Sequence, residues 1–272
     1  MKKSIWAGLF ICLLALMVGC SAMTGAVGKS PTLAKIQKRG ALVVGTSANM
    51  PPLNMTTKDG MIEGLDIDLA RYMASAMGVE LSLVKKNFDQ LLPALQKGEV
   101  DMVISGMTIT PERNMEVEFA GPYYVTGKAF LTKKETIGYN HEPKKFNSPD
   151  YCFVALKGST SASLLKKLLP KARHFLAEDY DEAVEMVLSN RADAMVADYH
   201  ACLLALVRNP DAGFVAVLTP FTYEPLGIAL PPGDVHLLNW VNNFLSTMDG
   251  SDELAKLKLK WIESNDWIKK LP

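Results

Sequence analysis

The run Asp101-Met-Val-Ile-Ser-Gly-Met-Thr-Ile-Thr-Pro-Glu-Arg113 holds the residues of this chain best placed for chemistry. A guanidinium just past a glycine-containing loop at the carboxyl end of a strand can hold a carboxylate by two parallel charge-assisted hydrogen bonds. Thr108 offers a hydroxyl and a backbone N–H beside it, with Ser105 and Gly106 completing the loop. The supporting elements follow from the same residues. Met102, Val103 and Ile104 read as a short buried strand that breaks at Ser105-Gly106. Thr110-Pro111-Glu112 then reads as a helix start, with a hydroxyl N-cap, proline at the first helical position and an acid in the first turn.

Around that run, strand and helix patterns alternate. Residues 32–39 predict a helix, 41–46 a strand and 47–54 a loop in which Pro51-Pro52 forbids either regular structure. Asp59-Gly60 marks a turn, and the stretch from Glu63 enters a helix stopped by Gly78, with Asp66 as a cap. Residues 79–84 predict a strand, 88–96 a helix and 100–104 the next strand. The alternation resumes after Gly127: strands at 153–156, 173–176 and 192–197, and helices at 161–169, 180–188 and 198–207. An extended segment at 221–230 precedes two final helices, 235–248 and 252–261. This is an α/β pattern of mostly parallel sheets, in which ligands bind outside the carboxyl ends of the strands. Two crossings, near Gly127 and near Leu226, predict two lobes joined by a hinge. The expected division is 32–126 with 227–272 for one lobe and 127–226 for the other.

Composition narrows the partners. The chain has 272 residues, 49% of them apolar, with 29 Lys plus Arg against 29 Asp plus Glu. That is a globular protein of zero net charge without a basic run, which excludes a nucleic-acid partner and favours a small molecule. Lys2 and Lys3, the apolar run 5–18 and Gly19-Cys20 read as an export signal, residues 1–20, too short to span a bilayer comfortably. Leu16-Met17-Val18-Gly19-Cys20 resembles a bacterial lipoprotein cleavage box. Cys20 is therefore expected to carry the lipid, with residues 21–31 as a tether. Cys152 and Cys202 would face an oxidising compartment, either paired or as two buried thiols.

Glu63-Gly-Leu-Asp-Ile-Asp-Leu69, Gly106-Met-Thr108, Arg113, Gly158-Ser-Thr160 and Asp193-Ala-Met-Val-Ala-Asp198 occur in this order and spacing. Together they resemble solute-binding protein family 3, the periplasmic amino-acid-binding proteins of ABC importers, from about residue 33 to the end. The resemblance implies the type II two-lobed periplasmic-binding-protein fold and a monomer that takes a free amino acid to a membrane permease, without a cofactor. It implies that Arg113 and Thr108 grip the ligand's carboxylate and ammonium from one lobe. Thr160 would add a backbone donor to the carboxylate, and Asp198 would bind the ammonium from the other lobe. Chemistry supports the pairing, because a zwitterion taken out of water needs both a cation and an anion. Where many relatives carry aromatic wall residues, this chain has Met50, Leu53 and Leu65, and Phe88 alone is aromatic. Such a wall suits an aliphatic or modest polar side chain. Ser47 and Lys157 are the polar candidates for reading a distal group.

Other readings rest on the same residues. Some relatives of this fold are periplasmic dehydratases acting on cyclic carboxylates, and Asp198 could serve such an enzyme as an acid. A lipid-anchored sensor reporting to a membrane receptor would use the same closing lobes. His141, His174, His200 and His236 lack metal-ligand spacing, so no metal site is expected. The expected location is the periplasm or cell surface, held by a lipid anchor.

Overall fold

The computed structural model describes residues 30–138, 142–217 and 221–272. The export signal and Cys20 lie outside the described residues. Five strands form the first sheet: β1 (Ala41–Thr46), β5 (Glu80–Lys85), β6 (Met102–Thr108), β7 (Glu118–Thr126) and β13 (Glu224–Leu230), in the order β5-β1-β6-β13-β7. The second contains β8 (Lys128–Thr132), β9 (Cys152–Leu156), β10 (Arg173–Ala177), β11 (Ala194–Asp198) and β12 (Val215–Val217), in the order β10-β9-β11-β8-β12. Between them the chain passes at Gly127 and again between β12 and β13. This is the two-lobed type II α/β fold.

Both sheets are mostly parallel, as the alternation predicts, with one strand reversed in each: β5, β1, β6 and β7 point one way and β13 the other, and β10, β9, β11 and β12 point one way and β8 the other. β13 runs against both β6 and β7, and β8 runs against both β11 and β12. The physical reason is the crossing itself. A strand that arrives directly from the other lobe, without a helical crossover on the same sheet, enters from the opposite end and pairs antiparallel. Sequence periodicity does not register that event.

Helices cover the sheets. The first lobe carries α1 (Pro31–Arg39), α2 (Leu65–Met77), α3 (Leu91–Gln96) and α4 (Pro111–Asn114). The second carries α5 (Glu135–Gly138), α6 (Thr160–Leu168), α7 (Tyr180–Leu188) and α8 (Tyr199–Arg208). The last two, α9 (Val235–Gly250) and α10 (Glu253–Lys258), return to pack on β7 and α2. The loop after β1 holds a small antiparallel sheet, β2 (Asn49–Met50), β3 (Asn54–Thr56) and β4 (Ile62–Glu63), wrapped around the Pro51-Pro52 turn.

Two local expectations are corrected. β6 does not break at Ser105-Gly106. It continues through Gly106, at φ +57°, to Thr108, because β13 supplies partners on its free side. A Cβ on Gly106 would lie 2.5 Å from Met50 Sδ and 3.0 Å from Leu53 Cδ1, so glycine suits the left-handed conformation and a side chain there would have to displace the tips of Met50 and Leu53. Asp66 is not a cap. The N-cap of α2 is Gly64, with no side-chain bond, and Asp66 is buried in the first turn. Its Oδ2 accepts from Asn54 Nδ2 at 2.8 Å and its Oδ1 from the Tyr123 hydroxyl at 2.7 Å. Burial is the dominant influence and raises its pKa to about 6, against these bonds.

Candidate binding cleft

Arg113 stands in α4, whose N-cap Thr110 accepts from the Arg113 backbone N–H at 3.2 Å. Its Nη1 donates to Thr108 O at 2.7 Å, and its Nη2 reaches across to Gly158 O at 3.0 Å. Phe88 lies under the guanidinium, with Cζ 5.6 Å from the ring centroid. Burial lowers the Arg113 pKa, while Asp198 and Glu224 act to raise it. Gly158, at φ +74°, lets the second lobe come against the first, since a Cβ there would be 2.9 Å from Asp89 Cβ. The cleft is closed along this edge.

Thr108 ends β6 and Thr160 opens α6, so each presents its hydroxyl from an element end that faces the cleft. The two oxygens are 3.5 Å apart, and both donate to the same acceptor, Glu224 Oε2, at 2.9 Å. Thr222 donates to Glu224 Oε1 at 2.9 Å. Across the cleft, Asp198 ends β11 and makes no side-chain cap to α8. Its Oδ1 takes Lys128 Nζ at 2.9 Å, and its Oδ2 accepts from the Tyr180 hydroxyl at 3.4 Å. Lys128 Nζ also lies 3.5 Å from Glu224 Oε2. Burial alone would push the Glu224 carboxyl up. Lys128 and the three threonine hydroxyls outweigh it and hold the group below the usual carboxylate range.

Arg113, Thr108, Thr160 and Asp198 therefore converge, joined by Lys128, Glu224 and Tyr180, which sequence reasoning did not single out. The register explains Lys128: it lies directly opposite Asp198 in the β8–β11 ladder, where facing side chains touch. Glu224 opens β13, and the neighbouring segment is stitched to β8 by a bond from Lys128 N to Thr222 Oγ1 at 3.0 Å. One signal was available. Each is a charged residue at the start of an otherwise apolar extended run, at the point where the chain crosses between lobes.

The other candidates are distributed differently. Met50, Leu53, Leu65 and Phe88 are all buried in the main apolar core, the first two packed where Gly106 lacks a side chain. Ser47 and Ser105 bond one another, with 3.1 Å between their hydroxyls, and Ser47 Oγ donates to Asn54 Oδ1 at 2.9 Å. They thus extend the network that ends on Asp66 and Tyr123. Lys157 sits on the rim, paired with Asp89 at 3.1 Å and Glu178 at 2.9 Å. Those bonds raise its pKa, Glu178 contributing most. It ties the lobe edges together and does not point its charge free into the cleft. Cys152 and Cys202 are both buried and free.

Two α/β lobes closed over two cations, Arg113 and Lys128, and two carboxylates, Asp198 and Glu224, define a solute-binding protein. Residues 42–264 match the model of the bacterial extracellular solute-binding proteins, family 3, and the chain belongs to that family. It is 31% identical to the ABC transporter glutamine-binding protein GlnH of Bacillus subtilis (strain 168), over 87% of this chain and 86% of that one. Among solved structures, it is 42% identical to the ancestral amino acid-binding protein AncCDT-1, described as a precursor of cyclohexadienyl dehydratase. That likeness has a TM-score of 0.76 and covers 85% of this chain and 99% of the other. A binding component of an ABC transporter from Wolinella succinogenes DSM 1740, complexed with lysine, is 36% identical. Its TM-score is 0.80, and 85% of this chain and 100% of that one are covered. Among the described residues no helix is long and apolar enough to cross a membrane.

Proposed function

We propose that this chain captures a free amino acid between its lobes outside the cytoplasm and delivers it to an ABC importer. Arg113, with the hydroxyl of Thr108 and the first turn of α6 at Thr160, takes the ligand carboxylate. Asp198 and Glu224 together face its ammonium. The observation that carries this reading is the bond pattern across the cleft. Arg113 on one lobe bonds Gly158 O on the other at 3.0 Å, and Thr108 and Thr160 meet on one carboxylate at 2.9 Å each. Groups that converge from both lobes give a bridging ligand better contacts in the closed state, and that difference drives closure. The protein acts as a monomer held by lipid on Cys20, and it is a carrier, not an enzyme. The group a dehydratase would recruit as its acid, Asp198, is paired with Lys128 Nζ at 2.9 Å, an arrangement that supports its role as the anion for a ligand ammonium.

The test is a thermal-shift screen of the standard amino acids and of small cyclic carboxylates, since a ligand of the folded state raises Tm by mass action. Stabilisation by one or a few L-amino acids is the expected outcome. Silence from all of them, with a shift from a cyclic carboxylate lacking an ammonium, refutes the reading and favours the enzyme.

A further inference from the structure

Lys128 is the feature of the cleft that amino-acid capture by Arg113 and Asp198 does not by itself require. Its side chain is 1% exposed, yet its Nζ lies between two carboxylates, 2.9 Å from Asp198 and 3.5 Å from Glu224. A buried charge persists only when it is paired, so the occupants of this cleft must balance. Arg113 and Lys128 contribute two positive charges and Asp198 and Glu224 two negative ones. An amino acid with an uncharged side chain adds one of each and leaves the set neutral. Arginine or lysine adds a second cation, and Lys128 has already neutralised one of the acids that would receive it.

Other carboxylates near the cleft are held by partners of their own. Asp89 and Glu178 share Lys157, and Glu178 also accepts from Asn87 at 3.0 Å. Asp66 is held by Asn54 and Tyr123. A crevice of about 200 Å³ lies on the other side of Tyr180, whose hydroxyl bonds Asp198. Of its two acids, Asp181 faces Arg208 at 3.4 Å and Asp179 accepts from the Glu182 N–H at 2.8 Å, as the cap of α7. The same crevice is lined by Lys85 and Arg208, so its two acids are matched by two bases and offer no surplus negative charge to a cationic side chain. We infer that Lys128, seated between Asp198 and Glu224, restricts this site to amino acids with uncharged side chains and excludes arginine and lysine. The inference rests on the amino-acid reading given above and names its ligand class.

The test is calorimetric titration of the protein, Lys128→Met and Lys128→Met/Glu224→Gln with each standard L-amino acid. The wild type is expected to bind its best uncharged amino acid at least tenfold more tightly than arginine or lysine. Lys128→Met, which frees one acid, should move that ratio at least tenfold toward the cationic amino acids. The double variant, neutral again, should move it back. Where Lys128→Met does not fold, Glu224→Gln serves in its place: the added positive charge should raise affinity for glutamate relative to glutamine at least tenfold. A wild type that binds arginine or lysine as tightly as any uncharged amino acid overturns the inference while leaving amino-acid capture intact. So does a ratio that these substitutions leave within threefold. Binding of no amino acid by the wild type overturns both.

Discussion

Replacing Arg113 by methionine is the most direct perturbation of the cleft, because the two side chains are similar in length and only the charged fork is lost. In the protein the guanidinium bonds Thr108 O and Gly158 O, and its remaining N–H groups are the donors left for a ligand carboxylate. Each charge-assisted hydrogen bond is worth about 1.5–3 kcal/mol. A carboxylate accepting two of them gains about 3–6 kcal/mol before desolvation, and truncating one partner of such a pair costs about 2–5 kcal/mol in measured systems. The dissociation constant should therefore rise roughly 30- to 4,000-fold. Part of the loss falls on closure, since the bond to Gly158 O joins the lobes. Isothermal titration of the amino acid giving the largest thermal shift measures it, with circular dichroism to establish that the variant is folded. A folded Arg113→Met protein with a dissociation constant within threefold of wild type would falsify the assignment of Arg113 to the ligand carboxylate.

Two further outcomes follow from the buried groups that support the cleft. Asp66 is raised to about 6 from an ordinary 3.8, so the folded state holds its proton where the unfolded chain has released it. Its contribution is complete below about pH 4 and is lost as the pH rises through about 6, an effect on the order of 3 kcal/mol. The stability of wild type relative to Asp66→Asn should decline across that window in urea titrations, and a difference independent of pH refutes the account. Gly106→Ala places a Cβ against Met50 Sδ at φ +57° and should cost about 1–3 kcal/mol. That corresponds to a fall of about 3–10 °C in Tm by calorimetry, and an unchanged Tm would show that β6 can relax at this point.

Much of the architecture was legible because it is local. The helix start at Thr110-Pro111-Glu112 needs no more than its own residues, and α4 begins at Pro111 with Thr110 as its cap. The burial of Met102, Val103 and Ile104 is equally plain from their apolar run. Legibility stopped where one segment completes another. β6 outlasts Ser105-Gly106 only because β13, more than a hundred residues later, pairs with it. Asp66 looks like a cap from its position near the start of α2. It is instead the end of a buried network, because Asn54 and Tyr123 arrive from other parts of the lobe. Lys157 looked available for a ligand until Asp89 and Glu178 were seen on either side of it.

By itself, the sequence determined the family, the alternation of strands and helices, and four of the groups that converge in the cleft, Arg113, Thr108, Thr160 and Asp198. Those residues sit at element ends, and the ends are set by capping, glycine and proline within a few positions. Only the tertiary structure decided that Lys128 and Glu224 complete the charge set. Lys128 meets Asp198 through the register of an antiparallel ladder between strands 70 residues apart. Glu224 reaches Thr108 and Thr160 from a crossing that is 116 and 64 residues away along the chain. A charge balance is a sum over groups at short range in space, and no local pattern in the chain records which distant charges enter it.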